Sequence, residues 1–214
     1  MSELKCFSVA DILAMEKQYR TNLINSAPGV KGVYLIGTNN AAGQTNLAVF
    51  NSVFHVGANP PYLGMVVRPD SVDRHTWQNI QSTGFYTINQ VSEAMAKQAH
   101  QTSARYEAEV SEFEAVGLAA EERDGFIAPY VKDSAVAFGL KLTEYHRIEA
   151  NGTIVVIGEV QHMYVHELAL QEDGFVALEN VNAIGCVGLD AYYKIAPLGR
   201  LPYAKKDKNP DWIK

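Results

Sequence analysis

A chain of 214 residues, 47% of them hydrophobic and 20% charged, is long enough for one full hydrophobic core. At this length folding buries roughly 70% of the unfolded surface, so no disulfide or metal staple is required. The formal net charge is −6 and no long basic run offsets it, which argues against a nucleic-acid binder and its concentrated cationic face. No stretch reaches the ~20 apolar residues of a membrane helix. The start, MSELKCFSVADILAMEKQYR, is amphipathic and mixed in charge, without the apolar centre of a signal peptide. Cys6 and Cys186 form no C-x-x-C pair. One disulfide between them is open, and a reducing compartment is the simpler reading. The expectation is a cytoplasmic protein that binds neither nucleic acid nor membrane.

Residues 8–26 are predicted to be one helix, with Ile12, Met15 and Tyr19 on one face and Pro28-Gly29 ending it. Residues 32–37 read as a strand and 39–43 as a turn. Thr45 to Val56 reads as one strand with polar residues on both faces, unusual for a core strand. Asn59-Pro60-Pro61 stops it, and a strand resumes over 62–68. Thr76 to Ser82 is predicted helical, with Gly84 as terminator. Phe85 to Gln90 is a strand, and Ser92 suits the N-cap of a helix running through His100. The polar stretch 101–109 leads to a short helix ended by Gly117. Ala135 to Ile148 and Thr153 to His166 are long strands joined by Asn151-Gly152, a hairpin signal because both central residues of such a turn take positive φ. No repeat or linker divides the chain. The expectation is one domain over 1–214, with 1–29 as a helical extension and 204–214 as a tail. Its class is mainly β (α+β), a barrel of antiparallel strands with peripheral helices.

Several chemical signatures are absent from the sequence: G-x-G-x-x-G after a strand, a P-loop, and a G-x-S-x-G elbow. His162 and His166 would lie about 13 Å apart on a strand, too far to share an ion, and no metal site is expected. A phosphate-sized constellation remains. Thr45, Asn46 and Ser52 share one predicted strand, Arg68 ends the next, and Asp73-Arg74-His75-Thr76 opens a helix. A helix start presents free N–H groups and partial positive charge. Hydroxyls from Thr45, Ser52 and Thr76, and a guanidinium from Arg68 or Arg74, suit the same anion. Taken singly, Thr76 also fits an N-cap, His75 a surface histidine, and Ser52 a satisfied strand residue.

The run Thr45-Asn46-Leu47-Ala48-Val49-Phe50-Asn51-Ser52, followed by Asn59-Pro60-Pro61-Tyr62-Leu63, resembles the opening of the flavin reductase-like family. Arg74-His75-Thr76-Trp77-Gln78-Asn79-Ile80 resembles that family's (K/R)-(D/H)-T-x-x-N-I helix start. Phe85-Tyr86-Thr87-Ile88-Asn89 resembles its F-x-V-N strand, Ala99-His100-Gln101-Thr102-Ser103-Ala104 its polar loop, and Gly158-Glu159-Val160 its late G-E-V strand. Gly199-Arg200-Leu201-Pro202-Tyr203 is similar to the end of the flavoredoxin-type branch. Asn51 and Val53 depart from the usual pattern and bear on the contacts to the flavin ring.

The resemblance implies a split β-barrel homodimer with one FMN per subunit near the interface. It places Thr45, Asn46, Leu47, Ala48, Asn51 and Ser52 along flavin and phosphate. It puts Arg68, His75 and Thr76 on the phosphate, with Asn79 bracing their helix. His100, Thr102 and Ser103 face the flavin on this reading, or simply end a helix. The implied activity is hydride transfer from NADH or NADPH to flavin, with a two-component monooxygenase as the expected partner. No catalytic side chain is singled out, because the chemistry belongs to the cofactor. The alternatives are an electron-transfer flavoprotein or ferric reductase with tightly bound FMN, and a non-catalytic flavin-binding protein.

Overall fold

Every strand pair in the structure, a computed structural model describing residues 4–213, is antiparallel. Two short helices, α1 (Val9–Ala14) and α2 (Lys17–Ser26), precede β1 (Lys31–Gly32), β2 (Tyr34–Asn39), β3 (Thr45–Phe50), β4 (Val53–Ala58) and β5 (Pro61–Val67). Then come α3 (His75–Thr83), β6 (Phe85–Gln90), α4 (Ala96–Gln101) and α5 (Glu112–Val116). The chain continues through β7 (Ala120–Glu121), β8 (Tyr130–Val131), β9 (Val136–Arg147), β10 (Ile154–Val165), β11 (Ile184–Val187) and β12 (Ala191–Lys194). Seven strands form one sheet in the order β3-β2-β6-β9-β10-β5-β4, and a second sheet runs β1-β11-β12.

The expected single strand over 45–56 is two strands. Asn51-Ser52 separates them, and β3 and β4 lie at opposite ends of the seven-stranded order. A two-residue step thus joins the sheet's two edges and curls it into a barrel. No ladder pairs β3 with β4 among the described residues, so the barrel is split there. Polar residues on both faces of this run mark that seam.

Alternation along β2 and β3 feeds two cores. Ile36 of β2 lines the barrel interior with Met65, Tyr86, Ile88, Leu140, Ile154 and Val156, and Phe50 packs on that cluster. Trp77 and Ile80 of α3 enter the same cluster, so the helix plugs the barrel. Leu35 and Leu47 face the opposite way, into a second core with Met95, Ala99, Phe113, Ile184 and Cys186. That core packs α4 and α5 against the outer face of β2 and β3.

Three further expectations are corrected. The helix over 8–26 is broken because Met15 is extended (ψ 149°) and Glu16 starts α2 afresh, its carboxylate accepting the Tyr19 N–H. No residue of either helix is buried. In the β9–β10 connection only Gly152 takes positive φ (74°), and the Ile148 N–H bonds the Thr153 carbonyl. The loop is therefore longer than a two-residue hairpin, and Asn151 acts through its side chain, which accepts the Thr153 N–H at 3.0 Å. Finally, β11 and β12 lie in a region where the sequence suggested no element.

Candidate functional site

Helix α3 begins without help. Arg74 stands at its N-cap and no side chain caps the first turn, which leaves N–H groups and the positive end of the helix dipole available. The Arg74 guanidinium is held beside this start by a hydrogen bond to the Pro69 carbonyl (3.1 Å). Gly84 closes the other end in the left-handed conformation (φ 78°). Thr76 is therefore not the N-cap that a sequence reading allows. It sits inside the first turn, buried, with its hydroxyl turned to Asn46.

Three consecutive residues of β3 meet four partners. Thr45 Oγ1 bonds Ser111 Oγ at 2.6 Å. Asn46 Nδ2 donates to Thr76 Oγ1 at 3.1 Å and, more weakly, to Thr38 Oγ1 at 3.4 Å. The Leu47 N–H donates to Glu112 Oε2 at 3.0 Å. Asn79, one turn beyond Thr76, donates to Thr38 Oγ1 at 3.1 Å. Thr38, Asn46, Thr76, Asn79, Ser111 and Glu112 are all buried. Edge strand β3, helix α3 and helix α5 thus meet in one buried polar junction, in which hydrogen bonds offset the cost of desolvation. Burial pushes the Glu112 carboxyl above its ordinary value, opposed by the Leu47 N–H, by its own N–H and by the charge of His75.

The structure thus brings together Thr45, Asn46, Leu47, Thr76 and Asn79 by hydrogen bonds, and His75 precedes Thr76 at the start of α3. The remaining candidates stand outside this network. Ala48 is half-buried further along β3. Asn51 Nδ2 donates to the Gly188 carbonyl at 2.8 Å, and Ser52 Oγ donates to the Val66 carbonyl at 2.9 Å, fastening the seam. Arg68 is exposed just past the end of β5. His100 Nδ1 lies 2.8 Å from Tyr192 Oη, Thr102 Oγ1 caps the Ala99 carbonyl at 2.8 Å, and Ser103 is exposed beyond α4. Sequence reasoning missed Thr38, Ser111 and Glu112. The Ser111-x-x-Glu114 spacing, a helix-start pattern, was the available signal for the beginning of α5.

A model of the flavin reductase-like domain matches residues 30–179. A candidate flavin reductase with a split barrel domain from Shewanella frigidimarina NCIMB 400 is 48% identical, with a TM-score of 0.90 over 94% of this chain and 100% of that one. Nitrilotriacetate monooxygenase component B from Bacillus cereus shares the fold at 18% identity, with a TM-score of 0.82 over 94% of this chain and 100% of that one. Flavoredoxin of Desulfovibrio vulgaris (Miyazaki F) is 23% identical, with a TM-score of 0.70 over 84% of this chain and 93% of that one. Among the described residues no helix is long and apolar enough to cross a membrane. With its curled seven-stranded sheet, its plugging helix and a family match over residues 30–179, the chain belongs to the flavin reductase-like family of split β-barrels.

Proposed function

We propose that this protein binds FMN and catalyses hydride transfer from NADH or NADPH to flavin. The observation that carries the reading is the uncapped start of α3, a nine-residue helix with Arg74 at its N-cap and the Asn46–Thr76 contact locked beneath it. Those donors fit a dianionic phosphate: free N–H groups at a helix start and a neighbouring guanidinium. In this reading the N–H groups of His75 and Thr76 hold the phosphate with Arg68 and Arg74. Asn46 and Asn79 hold the helix in place. Residues of β3 from Thr45 to Ala48, with Asn51 and Ser52 at the seam, form the wall along the flavin. His100, Thr102 and Ser103 border it from the end of α4. Bound FMN supplies the hydride-accepting chemistry, so the chain need only fix it, exclude water from one face and leave the other open to a nicotinamide.

The proposed unit is the whole chain as one domain, paired as a homodimer. The edge of β4, unpaired among the described residues and with Phe54 and Val56 exposed, supports pairing, because an apolar sheet edge left open is an aggregation hazard. Family membership supports the redox reading, and the likeness in fold to a monooxygenase component B supports delivery of reduced flavin to a separate oxygenase. The test is anaerobic mixing of the full chain, FMN and NADH or NADPH. Bleaching of the flavin absorbance, at a rate set by protein concentration, supports the reading. Flavin that stays oxidised with both nicotinamides refutes it. Titrating free flavin under turnover then separates flavin as substrate, which gives saturation, from flavin as a resident group, which gives none.

A further inference from the structure

Glu112 is a buried carboxyl group for which flavin chemistry has no direct use. It opens α5, is 6% exposed, and holds the outward N–H of Leu47 on the edge strand β3. Burying a carboxylate is costly unless it is paired and hydrogen-bonded, and the Leu47 N–H is one modest partner. Capping one strand N–H is a task that a serine or glutamine could perform without charge.

Its placement suggests more. Leu47 follows Asn46, and consecutive residues are only about 3.8 Å apart. Asn46 holds Thr76 while Leu47 holds Glu112. On α3, Thr76 directly follows His75, the first residue of the helix. Carboxyl, edge strand and anion-ready helix start are therefore joined through two pairs of adjacent residues. The charged groups around the carboxyl are few. β3 offers it only an N–H. α3 brings His75, with Arg74 ahead of it tied to the Pro69 carbonyl. α4, which packs on α5, carries Lys97 and His100, both exposed, and His100 is turned to Tyr192. On its own helix Glu114 is exposed.

We propose that Glu112 is a positioning residue of the phosphate subsite, fixing β3 against the start of α3 and taking up a proton when a phosphate dianion binds there. The inference rests on the FMN reading above. A dianion arriving at the helix start is a like charge to the carboxylate and disfavours its ionised form. The protonated acid still accepts the Leu47 N–H through its carbonyl oxygen, so the clamp survives the change. The ribityl and ring portions of the flavin carry no such charge, so the linkage belongs to the phosphate alone.

The experiment is a fluorescence-quenching titration of the full, flavin-free chain with FMN and with riboflavin between pH 6.5 and 8.5. Over this range the free phosphate is mostly dianionic, its second pKa being about 6. The wild-type FMN Kd should rise with pH, by at most about tenfold per unit for one linked proton, while riboflavin stays flat. Glu112→Gln, which keeps an acceptor for Leu47, should lose most of that slope while its far-UV spectrum stays native. Calorimetry of wild type and Glu112→Gln in two buffers of different ionisation enthalpy counts the protons taken up with FMN, and the variant should take up fewer. A wild-type FMN slope equal to that of riboflavin overturns the proposal, as does a slope that Glu112→Gln leaves intact. If neither flavin binds the wild type, the FMN reading itself fails, a distinct result that takes this inference with it.

Discussion

Asn46 Nδ2 lies 3.1 Å from Thr76 Oγ1, and this hydrogen bond joins the edge strand β3 to the first turn of α3 across 30 residues of sequence. Asn46 has only a longer second contact, to Thr38 at 3.4 Å, so Thr76 is its principal partner. Thr76→Ala should leave a buried amide poorly satisfied and lower stability by about 1–2 kcal/mol. It should also weaken FMN binding about tenfold, because the helix start loses its brace. Thr76→Ser keeps the hydroxyl and should restore both. Chemical denaturation alongside FMN titration checks this. FMN affinity within twofold of wild type in the alanine variant would detach the contact from the site.

Stability should also depend on pH through Glu112. Its folded pKa is raised above the ordinary value of 4.5, first by burial. The folded state therefore binds the proton more tightly than the unfolded chain. This contribution is fully present below pH 4.5 and is lost as pH rises through the folded value. Glu112→Gln should flatten that part of the curve, so its melting temperature relative to wild type should rise as pH rises from about 4.5 to 7. A melting difference constant across this range would show that burial leaves the carboxyl untouched.

Tyr86 tests the barrel interior. Its ring is fully buried, its hydroxyl has no hydrogen-bond partner among the described residues, and burial pushes the phenol well up. The hydroxyl occupies the space above Gly158, where a Cβ would collide with it. An unsatisfied buried hydroxyl opposes folding, so Tyr86→Phe should be neutral or stabilising by up to about 1 kcal/mol. Urea denaturation measures this. A loss above about 1 kcal/mol would reveal a partner for the hydroxyl.

Gly37 on β2 tests how the loop before β8 sits on the sheet. A Cβ there would strike the main-chain oxygen of Pro129 and the Thr87 hydroxyl, which itself bonds that oxygen at 2.6 Å. Main chain cannot swing aside as a side chain can. Gly37→Ala should cost about 2–3 kcal/mol, and Gly43→Ala, at a turn with open space but positive φ (83°), about 1 kcal/mol. Equal costs from thermal melts would contradict the close approach.

The legible parts of this fold were those whose signals are local. β6 reads directly from Phe85–Gln90, and α3 is bounded by Gly84. β9 and β10 follow from two long apolar runs around Asn151-Gly152. The break at Asn51-Ser52 was not legible, because it is set by closure of the barrel between strands far apart in the sheet. The break at Met15-Glu16 rests on a glutamate N-cap, an uncommon choice. Of the buried polar junction, motif order pointed to Asn46, Thr76 and Asn79. Glu112 stayed hidden because its role depends on Leu47, 65 residues away. Asn51, Ser52 and Thr102 suited a ligand by residue type, and in the fold their side chains bond main-chain oxygens that no local pattern foretells.

The central claim is that the start of α3 holds the phosphate of FMN. Parallel titration of the wild-type chain with FMN and riboflavin at pH 7 tests it most directly. Charge-assisted bonds at a helix start are worth roughly 1.5–3 kcal/mol each, so FMN should bind at least about tenfold more tightly than riboflavin, and inorganic phosphate should compete with FMN but not with riboflavin. Equal affinities for the two flavins, with no competition by phosphate, would contradict the account.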